Sequence, residues 1–170
     1  MQSRPSPLRS LLQVEGHEVG AVAWSFAYFF CLLACNYVLK PIRDAMGIQG
    51  GVRNLPWLYT GTFSVTLVAV PLYSALIARC SRRVLIFIVY EFFSANLILF
   101  WLLLQTLDAA SQVYVARTFF IWTSVFNVFV VSLFWSVQAD VFASSQGKRL
   151  FGFIAAGGTL GGVLGSAATS

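Results

Sequence analysis

Two cations and an acid stand at the end of the first apolar stretch of this sequence, where they could bind a charged ligand. Lys40, Arg43 and Asp44 lie within one stretch of five residues. In a helix of 100° per residue, Ser25 and Asn36 share a face with both cations, within an arc of about 60°. Charges at a membrane-helix end are costly toward lipid and favourable toward a water-filled cavity, although they can also anchor the helix among headgroups. The polar neighbours favour the cavity, where an arginine would hold the phosphate of an anionic substrate through two oxygens.

A second polar face is predicted in the fourth apolar stretch, and it too includes an arginine. Its members lie within an arc of about 80° at helical spacing, and they are Arg117, Ser124, Asn127, Trp135 and Gln138. A polar face that runs through the depth of a membrane helix is typical of a pore or a binding cavity, and the alternative is hydrogen bonding between helices. The predicted substrate-binding residues are Asn36, Lys40, Arg43, Arg117, Asn127 and Gln138.

An acid inside the third apolar stretch needs a physical explanation. Glu91 lies about 10 Å, or two helical turns, from the end of that stretch. A carboxylate at such a depth costs ~2.5–3.5 kcal/mol on insertion scales, so we expect it to be paired, protonated or hydrated. Arg79 or Arg83 is the expected structural partner, and a role in transport is the alternative. We predict that Asp44, Glu91 and Asp140 act in coupling or gating, Glu91 and Asp140 by forming state-dependent ion pairs or by carrying a proton.

The sequence contains no recognisable catalytic constellation. A single histidine excludes most hydrolytic arrangements, and no spacing of metal ligands occurs. The glycine-rich run 157–165 matches neither phosphate-binding glycine motif and follows no predicted strand. The three cysteines are interpreted as small apolar side chains. We therefore expect no enzymatic activity, no cofactor and no metal, and no nucleic-acid partner, because basic residues beside aromatic ones are membrane anchors here.

The composition indicates which elements position these residues. Of the 170 residues, 58% are hydrophobic and only 10% are charged, and the mean hydropathy is +0.78. Apolar runs of about 20 residues cross ~30 Å of hydrocarbon at 1.5 Å per residue. We predict an all-α polytopic membrane protein with the lipid bilayer as its partner and residues 1–19 as a cytoplasmic tail. The predicted spans are 20–39, 57–78, 84–105, 113–139 and 150–170.

Lysines and arginines are distributed unequally between the predicted loops. Seven fall on the side of the N-terminus, and these are Arg4, Arg9, Arg79, Arg82, Arg83, Lys148 and Arg149. Four fall on the other side or just inside the fourth span, and these are Lys40, Arg43, Arg53 and Arg117. Because basic residues accumulate in cytoplasmic loops, the N-terminus is predicted to be cytoplasmic.

Small residues recur every fourth position in the last apolar stretch. One row contains Gly157, Gly161 and Gly165, and the row beside it contains Gly158, Gly162 and Ser166. Spacing of four places each row on one helix face, where a neighbouring helix can approach to backbone contact. We expect a tight helical neighbour that the sequence ends before supplying, and therefore a larger protein of which this chain is part.

Several of these segments resemble one known family. The stretch LKPIRD at 39–44, the segment 135–140, the basic turn 147–149 and the glycine rows are similar to the non-mitochondrial ATP/ADP translocases. That group resembles the major facilitator superfamily, whose loop between the second and third spans is similar to residues 79–83. The resemblance covers nearly all of residues 20–170.

The resemblance implies a fold, a function and two functional residues. The fold would be a twelve-helix bundle of two six-helix halves, of which this chain supplies about the first five helices and lacks the C-terminal part. The function would be nucleotide exchange across a bacterial inner (plasma) membrane, with functional roles for Arg43 and Asp140. Two alternatives remain open from the residues: a proton-coupled facilitator for another small solute with Glu91 as proton carrier, and a non-transporting membrane scaffold.

Overall fold

The computed structural model describes residue 16, residues 18–49 and residues 51–169, and helices account for nearly all of this part. Of the predicted tail 1–19, residues 1–15 and His17 lie outside the described residues. The helices are α1 at Val19–Gln49, a 3₁₀ turn at Val52–Asn54, α2 at Leu55–Arg79, α3 at Arg82–Thr106, α4 at Ala109–Val141 and α5 at Ser144–Ala167. No β-strand occurs among the described residues. The all-α prediction is confirmed for this part of the chain.

Among the described residues, five helices are long and apolar enough to cross a membrane, by length and composition. Helix α1 has 31 residues and α4 has 33. At ~1.5 Å per residue each of these two exceeds the ~30 Å of hydrocarbon in a bilayer. The prediction of five membrane-spanning helices is therefore confirmed at the level of length and composition.

Three helix ends differ from the predicted spans. Helix α1 continues through Pro41 as far as Gln49, whereas residue 39 was the predicted end of the first span. Proline removes one backbone donor, and the intact turns on both sides of it hold the helix together. Helix α5 begins at Ser144, ahead of its candidate membrane span, which begins at Leu150 as predicted. Helix α4 begins at Ala109 rather than at 113.

The early start of α4 follows from the acid that precedes it. The Oδ2 atom of Asp108 accepts hydrogen bonds from the backbone N–H groups of Ala110 (3.2 Å) and Ser111 (3.3 Å). Its Oδ1 atom accepts a hydrogen bond from the Ser111 hydroxyl at 2.7 Å. These bonds satisfy backbone donors that a helix start otherwise leaves without partners. The Ser111 hydroxyl and amide, in that order of effect, lower the pKa of Asp108 below its ordinary value of 3.8.

The chain divides into two compact units. The first contains the described residues up to Val38 together with those from Phe134 onward, and the second contains Leu39–Leu133. The first unit thus includes most of α1, the end of α4 and all of α5. The second includes the end of α1, both α2 and α3, and most of α4.

In the first unit, one glycine row of α5 lies directly against the backbone of α1. A Cβ atom at Gly157 would stand 2.8 Å from the carbonyl oxygen of Phe26, and one at Gly165 would stand 2.5 Å from that of Ala34. A Cβ at Gly161, between them, would overlap the carbonyl oxygen of Phe30. The predicted tight neighbour is therefore present, and the expectation that the chain does not supply it is wrong.

In the second unit, aromatic rings fill the space between α3 and α4. Phe93 and Phe100 of α3 contact Trp122 of α4 with ring centroids 5.4 and 5.2 Å away. Trp122 stacks on Phe126 at 5.6 Å and 5° between ring planes, and Phe119 meets Phe100 edge-on at 5.2 Å. Offset and edge-on pairs of this kind each contribute about 0.5–1.5 kcal/mol beyond the area they bury. Several phenylalanine rings of this sequence thus pack between α3 and α4 and stabilise their contact.

Candidate functional site

The guanidinium of Arg43 is held in place at the end of α1, inside the second unit. Its Nε and Nη2 atoms both donate to Oδ1 of Asp44, at 2.9 and 2.7 Å. Its Nη1 atom donates to the hydroxyl oxygen of Ser124 on α4, at 3.2 Å. The contact joins a residue of the first predicted polar face to a residue of the second.

The hydroxyl of Ser124 can only accept from Arg43. Its own hydrogen is donated to the backbone carbonyl of Phe120, one turn earlier in α4, at 2.8 Å. This internal bond fixes the orientation of the hydroxyl and leaves an oxygen lone pair toward the guanidinium. Ser124 is therefore a neutral acceptor that positions the cation without neutralising it.

An aromatic ring forms the floor of the site. The Cζ atom of Arg43 lies 4.8 Å from the centroid of the Phe120 ring, and Phe120 is only 1% exposed. A Cβ atom at Gly47 would come within 2.7 Å of that ring, so only glycine lets the ring lie against this turn of α1. Tyr59 of α2 meets the same ring edge-on at 5.4 Å. A cation over a desolvated aromatic face gains about 0.5–2 kcal/mol.

Arg43 retains hydrogen-bonding capacity after these contacts. A guanidinium carries five N–H donors, and three of them are used by Asp44 and Ser124. The other two meet no acceptor in the described part of the chain. The side chain of Arg43 is 19% exposed and that of Asp44 is 47% exposed. The two unused N–H groups of Arg43 can thus donate to an anionic or carbonyl oxygen of a bound ligand.

The remaining predicted binding residues are spread over both units. Lys40 is exposed on α1, and Asn127 is exposed on α4. Arg117 is half-buried, with its Cζ atom 5.7 Å from the centroid of the Tyr114 ring. Asn36 is buried in the first unit. Gln138, also in that unit, is 2% exposed, and its Oε1 atom meets no donor among the described residues.

Among the predicted acids, Asp44 forms an ion pair with Arg43 at 2.7 Å. Asp140 is exposed near the end of α4. Glu91 is exposed on α3 and forms no ion pair or hydrogen bond with any described residue. The expected pairing of Glu91 with Arg79 or Arg83 is therefore wrong. Both arginines lie near the start of α3, and two helical turns of backbone separate them from Glu91.

The hydrogen bond between Glu18 and Gln146 is not predicted from the sequence. Glu18 belongs to the stretch predicted as a loose tail, yet its side chain is 4% exposed. It accepts a hydrogen bond at 2.7 Å from Nε2 of Gln146, whose Oε1 accepts the backbone N–H of Ala143 at 2.9 Å. Gln146 thus links the start of α1 to the start of α5. A glutamine three residues after the residue that precedes a helix is typical of a cap, as Gln146 is here, but nothing in the sequence points to Glu18 as its other partner.

A groove of about 650 Å³ opens in the first unit between α1 and α5. Its walls include Phe29 and Tyr37 of α1 and Trp135 of α4, and its floor includes Gly158 and Gly162. Side chains of α1 stand against this second small-residue row: Gly158 meets Phe29 and Leu33, and a Cβ at Gly162 would lie 3.2 Å from Tyr37. The first row meets the backbone of α1 instead. The lining is chiefly apolar and aromatic, which suits an apolar or ring-shaped group.

These features define a class: an all-α protein with five helices capable of crossing a membrane and a half-buried arginine site at the end of the first. A comparison with protein-family models, with curated proteins and with solved structures finds no match to this chain.

Proposed function

We propose that this chain belongs to a secondary transporter that works by alternating access and that Arg43 binds the anionic group of its substrate. The observation that carries the proposal is the state of Arg43. It lies on a helix apolar enough to cross a membrane, it is held over Phe120 and by Ser124, and two of its donors remain available.

An anchoring role explains this geometry less well. A cation that anchors a helix end extends toward the headgroups and the surrounding water. Arg43 instead turns toward α4, and its side chain is only 19% exposed. A scaffold held together by polar contacts is also less favoured, because many hydroxyl groups bond within their own helix. Those that donate to the carbonyl four residues earlier include Thr60, Thr62, Ser64, Ser74, Thr106, Thr118, Thr123 and Ser124.

The substrate class that we propose is an organic anion with a phosphate group, of which nucleotides such as ATP and ADP are the leading candidates. The planar fork of arginine matches two oxygens of a phosphate. The resemblance of residues 39–44 and 135–140 to the non-mitochondrial ATP/ADP translocases supports this choice. In that proposal the bundle is of the major facilitator type, in a bacterial inner membrane, and further helices of the same protein complete the binding cavity.

A second candidate is proton-coupled transport of another small solute, which the position of Glu91 favours. This acid is exposed on α3, and it forms no ion pair or hydrogen bond with a described residue. A carboxylate at this depth is costly toward lipid, and protonation removes most of that cost. Proton binding and release at Glu91 would then accompany transport.

Uptake by vesicles that contain the full-length protein separates these candidates. The panel consists of labelled ATP, labelled ADP and a set of small solutes, each measured with and without a proton gradient. Exchange of ATP for ADP without a gradient supports the nucleotide proposal, and gradient-dependent uptake that Glu91→Gln abolishes supports the second candidate. Absence of uptake for the whole panel contradicts transport.

Arg43→Gln in the inserted protein tests the site itself. Loss of a charge-assisted hydrogen bond costs about 1.5–3 kcal/mol, or roughly tenfold to a hundredfold in affinity. Arg43→Lys should restore only part of it, because lysine keeps the charge and loses the planar fork. Arg53→Gln is the matched control, since Arg53 is exposed in the 3₁₀ turn after α1. Equal nucleotide affinity of Arg43→Gln and wild type would mean that Arg43 anchors the helix end and does not bind the nucleotide.

A further inference from the structure

We propose that Asp44 is a built-in counter-ion of Arg43, which an arriving anion with two oxygens displaces. One oxygen of the anion would first bind to the donors that Asp44 and Ser124 leave unused. Exchange of Asp44 for the anion on the same guanidinium would then complete binding. The inference rests on the proposed binding of an anion by Arg43. It adds a rule of selection: anions with two neighbouring oxygens, such as phosphates and carboxylates, displace Asp44, and monatomic anions do not.

The bonding pattern between the two residues supports an exchange. Both Nε and Nη2 of Arg43 donate to the same oxygen, Oδ1 of Asp44. The Oδ2 atom receives no hydrogen bond from the described residues. An anion that places one oxygen on each nitrogen forms two parallel bonds, which is the stronger arrangement for a guanidinium. Asp44 is adjacent to Arg43 in sequence, and it is bound in the weaker, single-oxygen arrangement.

The difference in exposure identifies the partner that leaves. The side chain of Asp44 is 47% exposed, so it can turn into water without losing much hydration. Arg43 is 19% exposed and keeps its contacts with Ser124 and Phe120. Because water replaces the bonds of the exposed carboxylate, the ion pair with Asp44 favours association by at most about fivefold. The second oxygen of the anion adds a charge-assisted hydrogen bond that Asp44 does not form, which contributes roughly tenfold to a hundredfold. A two-oxygen anion therefore displaces Asp44 with a net gain.

The guanidinium stays in place during the exchange because its other contacts do not involve Asp44. Ser124 holds Nη1, and the Phe120 ring lies beneath the Cζ atom. The ring is itself positioned by Gly47, where no side chain intervenes. A chloride ion would meet this prearranged cation at a single point, as Oδ1 already does, and would gain nothing by replacing it. Asp44 thus excludes weakly binding anions from the site.

Binding of inorganic phosphate and of chloride to the full-length protein tests this inference. Isothermal titration of Asp44→Asn should show about three- to fivefold tighter phosphate binding than wild type, since the competing ion pair is lost. Chloride binding should appear or strengthen by at least the same factor, so that discrimination between the two anions decreases. Asp44→Ala gives a second variant with the same expectation. Asp108→Asn is the control for a general change in charge, because Asp108 is exposed at the start of α4.

The outcomes separate this inference from the proposed function. If Arg43→Gln abolishes phosphate binding while both Asp44 variants bind both anions as wild type does, the counter-ion inference is overturned and the site remains. Weaker phosphate binding by both Asp44 variants also overturns it, since Asp44 would then support the anion rather than compete with it. If Arg43→Gln leaves phosphate binding unchanged, the anion site at Arg43 and the counter-ion inference are both refuted.

Discussion

The close approach of α5 to the backbone of α1 predicts the cost of adding one methyl group. At Gly157 and Gly165, a Cβ atom would lie 2.8 and 2.5 Å from carbonyl oxygens of α1, and at Gly161 it would overlap one. Ordinary contact begins at 3.4 Å, so an alanine at Gly161 would force α5 to retreat by roughly 1 Å. The obstacle is backbone, which cannot rotate away as a side chain can.

Such a retreat weakens the whole contact. A gap of about 1 Å removes up to about half of the dispersion energy of the atoms that face it. Together with the strain of overpacking, we expect Gly161→Ala to lower the free energy of unfolding by about 1–3 kcal/mol. Gly152→Ala in the same helix is the control, because a Cβ there meets nothing within 4 Å. It should be neutral or gain up to about 1 kcal/mol from helix propensity.

Unfolding in mixed micelles with increasing sodium dodecyl sulfate, followed by tryptophan fluorescence, measures both variants. The reasoning is refuted if Gly161→Ala and Gly152→Ala are equally stable. It is also refuted if Gly161→Ala is the more stable of the two. Either result would mean that α5 does not rest on the backbone of α1.

Two further predictions concern the helix starts. Gln146→Ala removes a hydrogen bond to the buried carboxylate of Glu18, and we expect a loss of about 1–3 kcal/mol of stability in the same unfolding assay. Gln105→Ala is the control, because Gln105 is exposed. Equal stabilities of the two variants would contradict the hydrogen bond between Gln146 and Glu18. The lowered pKa of Asp108 means that its ionised form stabilises the fold above pH 3.8 and that this contribution is lost as the pH falls through the folded-state pKa. The carboxyl carbon chemical shift of Asp108, followed as a function of pH, should show a titration midpoint below pH 3.8. Ser111→Ala should raise this midpoint. An unchanged midpoint in the variant would contradict the hydrogen bonds between Asp108 and Ser111.

The sequence was sufficient for features that depend on neighbours along one helix. Five apolar runs predicted five helices, and the fourfold spacing of Gly157, Gly161 and Gly165 predicted a backbone approach. The placement of Arg43 and Ser124 on polar faces also followed from helical period alone. Each of these signals is contained within a few turns, where residue spacing determines geometry.

Features that depend on the partner across a contact were not available from the sequence. No periodicity in α5 identifies α1 as its neighbour, because residues that meet, such as Phe26 and Gly157, lie more than a hundred positions apart in the sequence. Arginines near Glu91 in the sequence predict a basic partner for it, yet the helix between them keeps the charges apart. The polar residues before Glu18 predict a tail there, and its partner Gln146 lies 128 residues later. The ion pair of Arg43 with Asp44 depends on side-chain torsions, which spacing does not specify.

The hydroxyl groups that bond within their own helices have a mechanical consequence. The side chains of Thr62, which is half-buried, and Thr123, which is buried, each donate to a carbonyl four residues earlier. Because those donors are satisfied internally, a helix can slide or turn against its neighbour without breaking a directional bond at these positions. Resistance to such a displacement then comes from side-chain interlocking alone, which changes smoothly with distance over the first fraction of an ångström. A small change in the angle between two helices therefore requires little work along these faces.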